Sequence, residues 1–180
     1  MFALLPAVLL LPACMAPGWN QRSAGPVGLG DALQREDPAL SGGGRLLASL
    51  ISPAGRPTLL LQELPSGRRL PIGPLGRWTP HRSPSLSRNG RYVALLVQQG
   101  ARSVPVVWDR AGNQLHRLPL PGDLEVQRLQ LAPDGRRLAL SLWQDGRASL
   151  RLLDLSALLE ADLPAGLAVQ GGGPLPPNRP

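Results

Sequence analysis

Lysine is absent from these 180 residues, so all 19 basic side chains are arginine, set against 12 acidic ones. The formal charge of +7 would suit a polyanionic partner. The arginines are nevertheless spread through turn-forming stretches instead of gathered in a run, which is the pattern of solvated surface charge. Aromatic residues make up only 3% of the chain. The core must therefore be aliphatic, and the scarcity of stacking platforms disfavours nucleic acid as a partner. A single cysteine, Cys14, excludes an internal disulfide and a cysteine metal cluster. His81 and His116 are the only histidines, one near an inter-repeat linker and one in a predicted strand, and both read as packed or solvated residues. There is no Gly-x-Ser-x-Gly elbow, phosphate-cradling loop or dinucleotide fingerprint. No catalytic residue, cofactor or metal site is assigned, and the chain reads as non-enzymatic.

Long apolar runs are also missing. Phe2 to Ala13 carries no charge, and its leucines and Val8 form a stretch too short to span a bilayer permanently, as expected of a signal-peptide core. It ends in Leu11-Pro12-Ala13-Cys14, which resembles the lipobox of bacterial lipoproteins. That resemblance implies lipidation of Cys14 and anchorage on the periplasmic side of a bacterial membrane. An ordinary cleaved signal ending near Ala16, with soluble secretion to the periplasm, and a short buried apolar segment are the alternatives.

What is abundant is repetition. Superposing Gly44, Gly90 and Gly135, spaced by 46 and 45 residues, brings Gly44-Arg45-Leu46-Leu47-Ala48, Gly90-Arg91-Tyr92-Val93-Ala94 and Gly135-Arg136-Arg137-Leu138-Ala139 into one ungapped register. Leu40, Leu86 and Leu131 precede the glycines. Arg56, Arg102 and Arg147 follow at a fixed interval, as do the acids Glu63, Asp109 and Asp154. Each glycine supplies the positive φ of a tight turn, and in the third copy the turn is Ala132-Pro133-Asp134-Gly135. The following stretches, 45–51, 91–97 and 136–143, are aliphatic on both faces, as in strands buried on both sides. Turns at Gly55, Gly100 and Gly146 lead to third strands over 58–64, 104–108 and 150–155, and fourth strands are expected over 69–72 and 114–120. In the third copy, Ser156 followed by Ala157-Leu158-Leu159 could instead cap a short helix. The recurring acids are read as partners of turn backbone, and the recurring Arg56, Arg102 and Arg147 as solvated.

At these residues the chain resembles TolB-like and WD-like β-propeller repeats, best over 129–154. The resemblance implies an all-β fold of three four-stranded antiparallel blades forming an incomplete, open propeller. The expected organisation is a signal over 1–14, a linker over 15–37, three blades over 38–80, 81–126 and 127–164, and a Gly- and Pro-rich disordered tail over 165–180.

Alternation along the second strand separates two faces. Leu46, Ala48 and Leu50 correspond to Tyr92, Ala94 and Leu96, but to Arg137, Ala139 and Ser141 in the last copy. The free face of the third blade is therefore expected to be polar, a trend that Ser149 and Arg151 on its third strand would extend. The other free face, on the first blade, carries Leu47, Ser49 and Ile51 and needs cover from residues 19–33 or from a partner. It is the candidate interaction face of a monomeric, membrane-anchored scaffold for another envelope protein. A carbohydrate-binding or carbohydrate-active propeller and a functionless propeller relic are the alternatives.

Overall fold

The computed structural model describes residues 29, 34–79, 81–122 and 124–163. The signal-like segment, Cys14 and the proposed tail lie outside them. Three antiparallel sheets follow one another along the chain. Blade 1 contains β1 (Glu36–Leu40), β2 (Leu46–Ile51), β3 (Thr58–Glu63) and β4 (Arg69–Leu70), and blade 2 contains β5 (His81–Leu86), β6 (Tyr92–Gln99), β7 (Arg102–Asp109) and β8 (Gln114–Arg117). Blade 3 contains β9 (Glu125–Leu131), β10 (Arg137–Gln144) and β11 (Arg147–Asp154). Strands pair in sequence order within each sheet, as hairpins joined by short turns require.

Among the described residues the third blade has three strands where four were expected. Asp154 ends β11 by accepting a hydrogen bond from the Ser156 amide at 2.8 Å, and the chain turns there instead of forming a helix or a further hairpin. Leu155 and Leu159 are buried in the core between blades 2 and 3. Beyond them Asp162 is drawn to the turn of blade 2, so this segment is diverted from the outer edge of β11.

Two apolar cores lie between the blades. In the first, Leu46, Ala48, Leu50, Leu59 and Leu61 of blade 1 meet Val93, Leu95, Val97 and Val106 of blade 2. In the second, Tyr92, Ala94, Leu96 and Val107 of blade 2 meet Leu138, Leu140 and Leu142 of blade 3. Blade 2 is thus buried on both faces, which is why β6 reads as a continuous apolar run in the sequence. His81, near the inter-repeat linker, is fully buried at the first seam. Its Nδ1 accepts the Leu59 amide at 2.8 Å, leaving Nε2 to donate to the Leu75 carbonyl at 3.0 Å. That pairing assigns the neutral Nε2–H tautomer, and burial holds the imidazole below its ordinary pKa.

Candidate functional site

The repeat glycines occupy the β1–β2, β5–β6 and β9–β10 turns with φ of 68°, 68° and 78° for Gly44, Gly90 and Gly135. Backbone hydrogen bonds link these turns across the blades: the Gly43 amide donates to the Arg88 carbonyl and the Arg88 amide to the Pro133 carbonyl, each at 2.7 Å. Asp162 completes this surface. Its amide donates to the Asp134 carbonyl, while its buried carboxylate accepts from the Ser87 hydroxyl at 2.5 Å and the Asn89 amide at 2.8 Å. The inner strands are stitched at the repeat interval as well. Asp37 Oδ2 accepts from the Ser83 amide at 2.9 Å, and Ser83 Oγ accepts from the Leu129 amide at 3.0 Å.

The recurring acids serve the turns. Asp109 Oδ1 accepts from the Ala111 amide at 2.9 Å and from Gly112, and Asp154 does the same for Ser156. In the first two blades the arginine after the glycine supplies the second contact. Arg91 pairs with Asp109 at 3.1 Å and Arg45 with Glu63 at 3.9 Å, because the register places the residue after Arg45 or Arg91 directly opposite the acid. These charges support blade geometry. Among the described residues no three of His, Cys, Asp and Glu come together in a way that could hold a metal ion.

The face bearing Leu47, Ser49 and Ile51 does point away from the neighbouring blade, since Leu46, Ala48 and Leu50 fill the first core. It is not bare. Ser49 is 1% exposed, Arg35 donates to its hydroxyl at 3.4 Å, and Gln62, opposite Leu47, donates to the Leu29 carbonyl at 3.2 Å. Leu29 and Arg35, both ahead of β1, thus lie against this sheet, and Leu47 and Ile51 are left half-buried.

The opposite end of the array differs from expectation. Residues directly opposite on paired strands project to the same side. Arg137 pairs with Asp154, Ala139 with Leu152 and Ser141 with Leu150, so the free face of blade 3 carries Leu150 and Leu152, while Ser149 and Arg151 belong to the other side. Leu150 is 85% exposed, Leu152 65% and Trp143 45%. Their counterparts in the earlier blades, Leu59 and Leu61 or Pro105 and Val107, are buried. The Asp145-Gly146 dipeptide was the signal that would have shown this: both residues have positive φ, 49° and 76°, making the two-residue hairpin that pairs Gln144 with Arg147 and sets every later register.

Similarity to solved structures places this arrangement. The chain matches the β-propeller domain of the Trilobed protease from Pyrococcus furiosus with a TM-score of 0.55 at 18% identity, covering 72% of this chain and 41% of that one. The fold is that of a partial β-propeller. A second match, TolB from Acinetobacter baumannii, has a TM-score of 0.54 at 18% identity and covers 73% of this chain and 33% of that one. The chain spans less than half the length of either structure. No protein-family model and no curated protein matches it. In this partial propeller, the outer face of blade 3 is the side on which no further described blade is stacked.

Proposed function

We propose that the chain is a non-catalytic envelope scaffold that binds another protein through the outer face of blade 3, anchored by a lipid on Cys14 at the periplasmic side of a bacterial membrane. One observation carries the binding reading: Leu150, Leu152 and Trp143 stand exposed together at repeat positions of which two are buried in the other blades. Exposed apolar clusters of this kind mark interaction sites. Around them Arg137, Asp154 and Arg128 supply a polar margin of mixed charge. The first-blade face, with Leu47, Ser49 and Ile51, ranks second as a binding surface because Arg35 and Leu29 of the chain itself lie against it.

A photo-crosslinking residue at position 150, introduced in cells producing the full chain, tests the binding reading. One reproducible protein adduct is expected, lost on Leu152→Asp and absent when the crosslinker stands at position 56. Retention on immobilised glycan without a protein adduct would favour the carbohydrate reading and sink this one. The anchor is tested separately. Labelled palmitate is expected to enter the wild type and not Cys14→Ala, and unchanged labelling would remove the lipoprotein assignment.

A further inference from the structure

Arginines that are scattered along the sequence converge at the turn end of the first seam. A cleft of about 440 Å³ is lined there by Arg45 and Arg68 of blade 1 and by Arg88 and Arg110 of blade 2, with Glu63 its one acidic lining residue among the described residues. Glu63 lies 3.9 Å from Arg45 and 3.5 Å from Arg68, so a single carboxylate is shared by two guanidinium groups. Arg88 and Arg110 have no carboxylate within ion-pair distance among the described residues. Neither is loosely placed. The main chain of Arg88 is held by Gly43 on one side and Pro133 on the other. Arg110 donates from Nη1 to the Gly90 carbonyl at 2.8 Å, and its guanidinium lies 6.0 Å from the Trp108 ring centroid. Partial burial of Arg110 lowers its pKa, so a cation is held where desolvation opposes its charge.

We propose that this cleft binds a phosphoryl group. Four guanidinium groups against one carboxylate leave three positive charges without compensation. A lone carboxylate ligand would cancel only one of them. A phosphoryl group carries up to two charges and three acceptor oxygens, which match the planar donor forks of several arginines at once. The mouth of the cleft is open to solvent through the exposed side chains of Arg45 and Arg68, so the group can belong to a soluble phosphorylated molecule or to a lipid headgroup. Both share the chemistry recognised here. This site is separate from the blade 3 face, and its failure would leave the protein-binding reading untouched.

Isothermal titration of the full chain carrying Cys14→Ala, so that no acyl chain contributes, provides the test. With inorganic pyrophosphate as probe, saturable one-to-one binding is expected that weakens as salt rises. Arg88→Ala and Arg110→Ala should each weaken it about ten-fold, as loss of a charge-assisted hydrogen-bonding pair does. Arg56→Ala, on the loop at the far end of blade 1, should have no effect. Arg88→Lys keeps the charge and loses the fork, and should fall between wild type and alanine, with thermal melting reporting that each variant folds. A parallel arm uses phosphatidylglycerol vesicles against phosphatidylcholine vesicles. Vesicle binding alone, lost in Arg88→Ala, assigns the group to a lipid headgroup; pyrophosphate binding alone assigns it to a soluble ligand. The proposal is overturned if neither probe binds, or if folded Arg88→Ala and Arg110→Ala bind both probes as the wild type does.

Discussion

A Cβ built on Gly135 would lie 2.5 Å from Cδ2 of Tyr92, a side chain fully buried in the adjacent blade. Gly90 stands against Leu46 in the same way, one blade earlier. Each of these glycines therefore serves two needs, a left-handed turn and close approach to the residue two places after the preceding glycine. Gly44 has only the first, with nothing within 4 Å of its hypothetical Cβ.

Alanine at the three positions should therefore be unequal. Gly44→Ala is expected to cost about 1–2 kcal/mol from the left-handed backbone alone. Gly135→Ala should cost at least about 1 kcal/mol more, because a rigid buried ring must move in a packed core. Gly90→Ala should fall between, since Leu46 can change rotamer, and Leu46→Ala should relieve part of its penalty. Urea denaturation of the three variants and the double variant measures this, and equal losses would contradict the stacking role.

His81 makes stability depend on pH. Its folded pKa is depressed, so on acidification the unfolded chain takes up a proton that the folded chain refuses. The contribution is fully present above the unfolded value of about 6.5 and is lost as pH falls from there toward the folded value. Chemical denaturation at pH 7.5 and pH 5.5 should show this loss in the wild type, and His81→Gln should flatten the difference. The substitution should itself cost about 1–3 kcal/mol for each backbone group it leaves unpaired at Leu59 and Leu75.

One repeat position should give opposite results in two blades. Leu61→Asp places a charge in the core of the first seam and is expected to unfold blade 1, whereas Leu152→Asp, on the exposed face of blade 3, should shift stability by less than about 0.5 kcal/mol. The second variant should lose the crosslinked partner all the same. A large drop in melting temperature for Leu152→Asp would show that the face is covered within the chain.

Asp162 holds the segment after β11 to blade 2 through Ser87 and Asn89. Asp162→Ala should release it, leaving the Ser87 hydroxyl proton and the Asn89 amide without an acceptor at a cost of about 1–3 kcal/mol. Limited proteolysis should then cut between residues 155 and 163 sooner than in the wild type, with β10 and β11 still protected. Unchanged cleavage would mean that Leu155 and Leu159, with the Asp162 amide on Asp134 and Arg91 on Glu160, keep the segment in place without the carboxylate.

By itself the sequence determined the repeat of the blades, the turns between their strands and the two faces of each second strand. The ungapped spacing of Gly44, Gly90 and Gly135 and the alternation of Leu46, Ala48 and Leu50 are local patterns, and a period of two along a strand leaves little freedom in which side chains face the core. The glycines were legible as turns, but their contacts with Leu46 and Tyr92 were not, because those contacts cross from one blade to the next. Tertiary structure alone decided the rest. Stacking brought together Arg45, Arg68, Arg88 and Arg110, which no run in the sequence announces, and it buried His81 between two backbone groups. The diversion of Leu155 to Asp162 onto the neighbouring blade left β11 as the outer strand of a three-stranded sheet. Such outcomes depend on residues tens of positions apart, whose proximity is set by how blades pack, and periodicity along one strand carries no record of that.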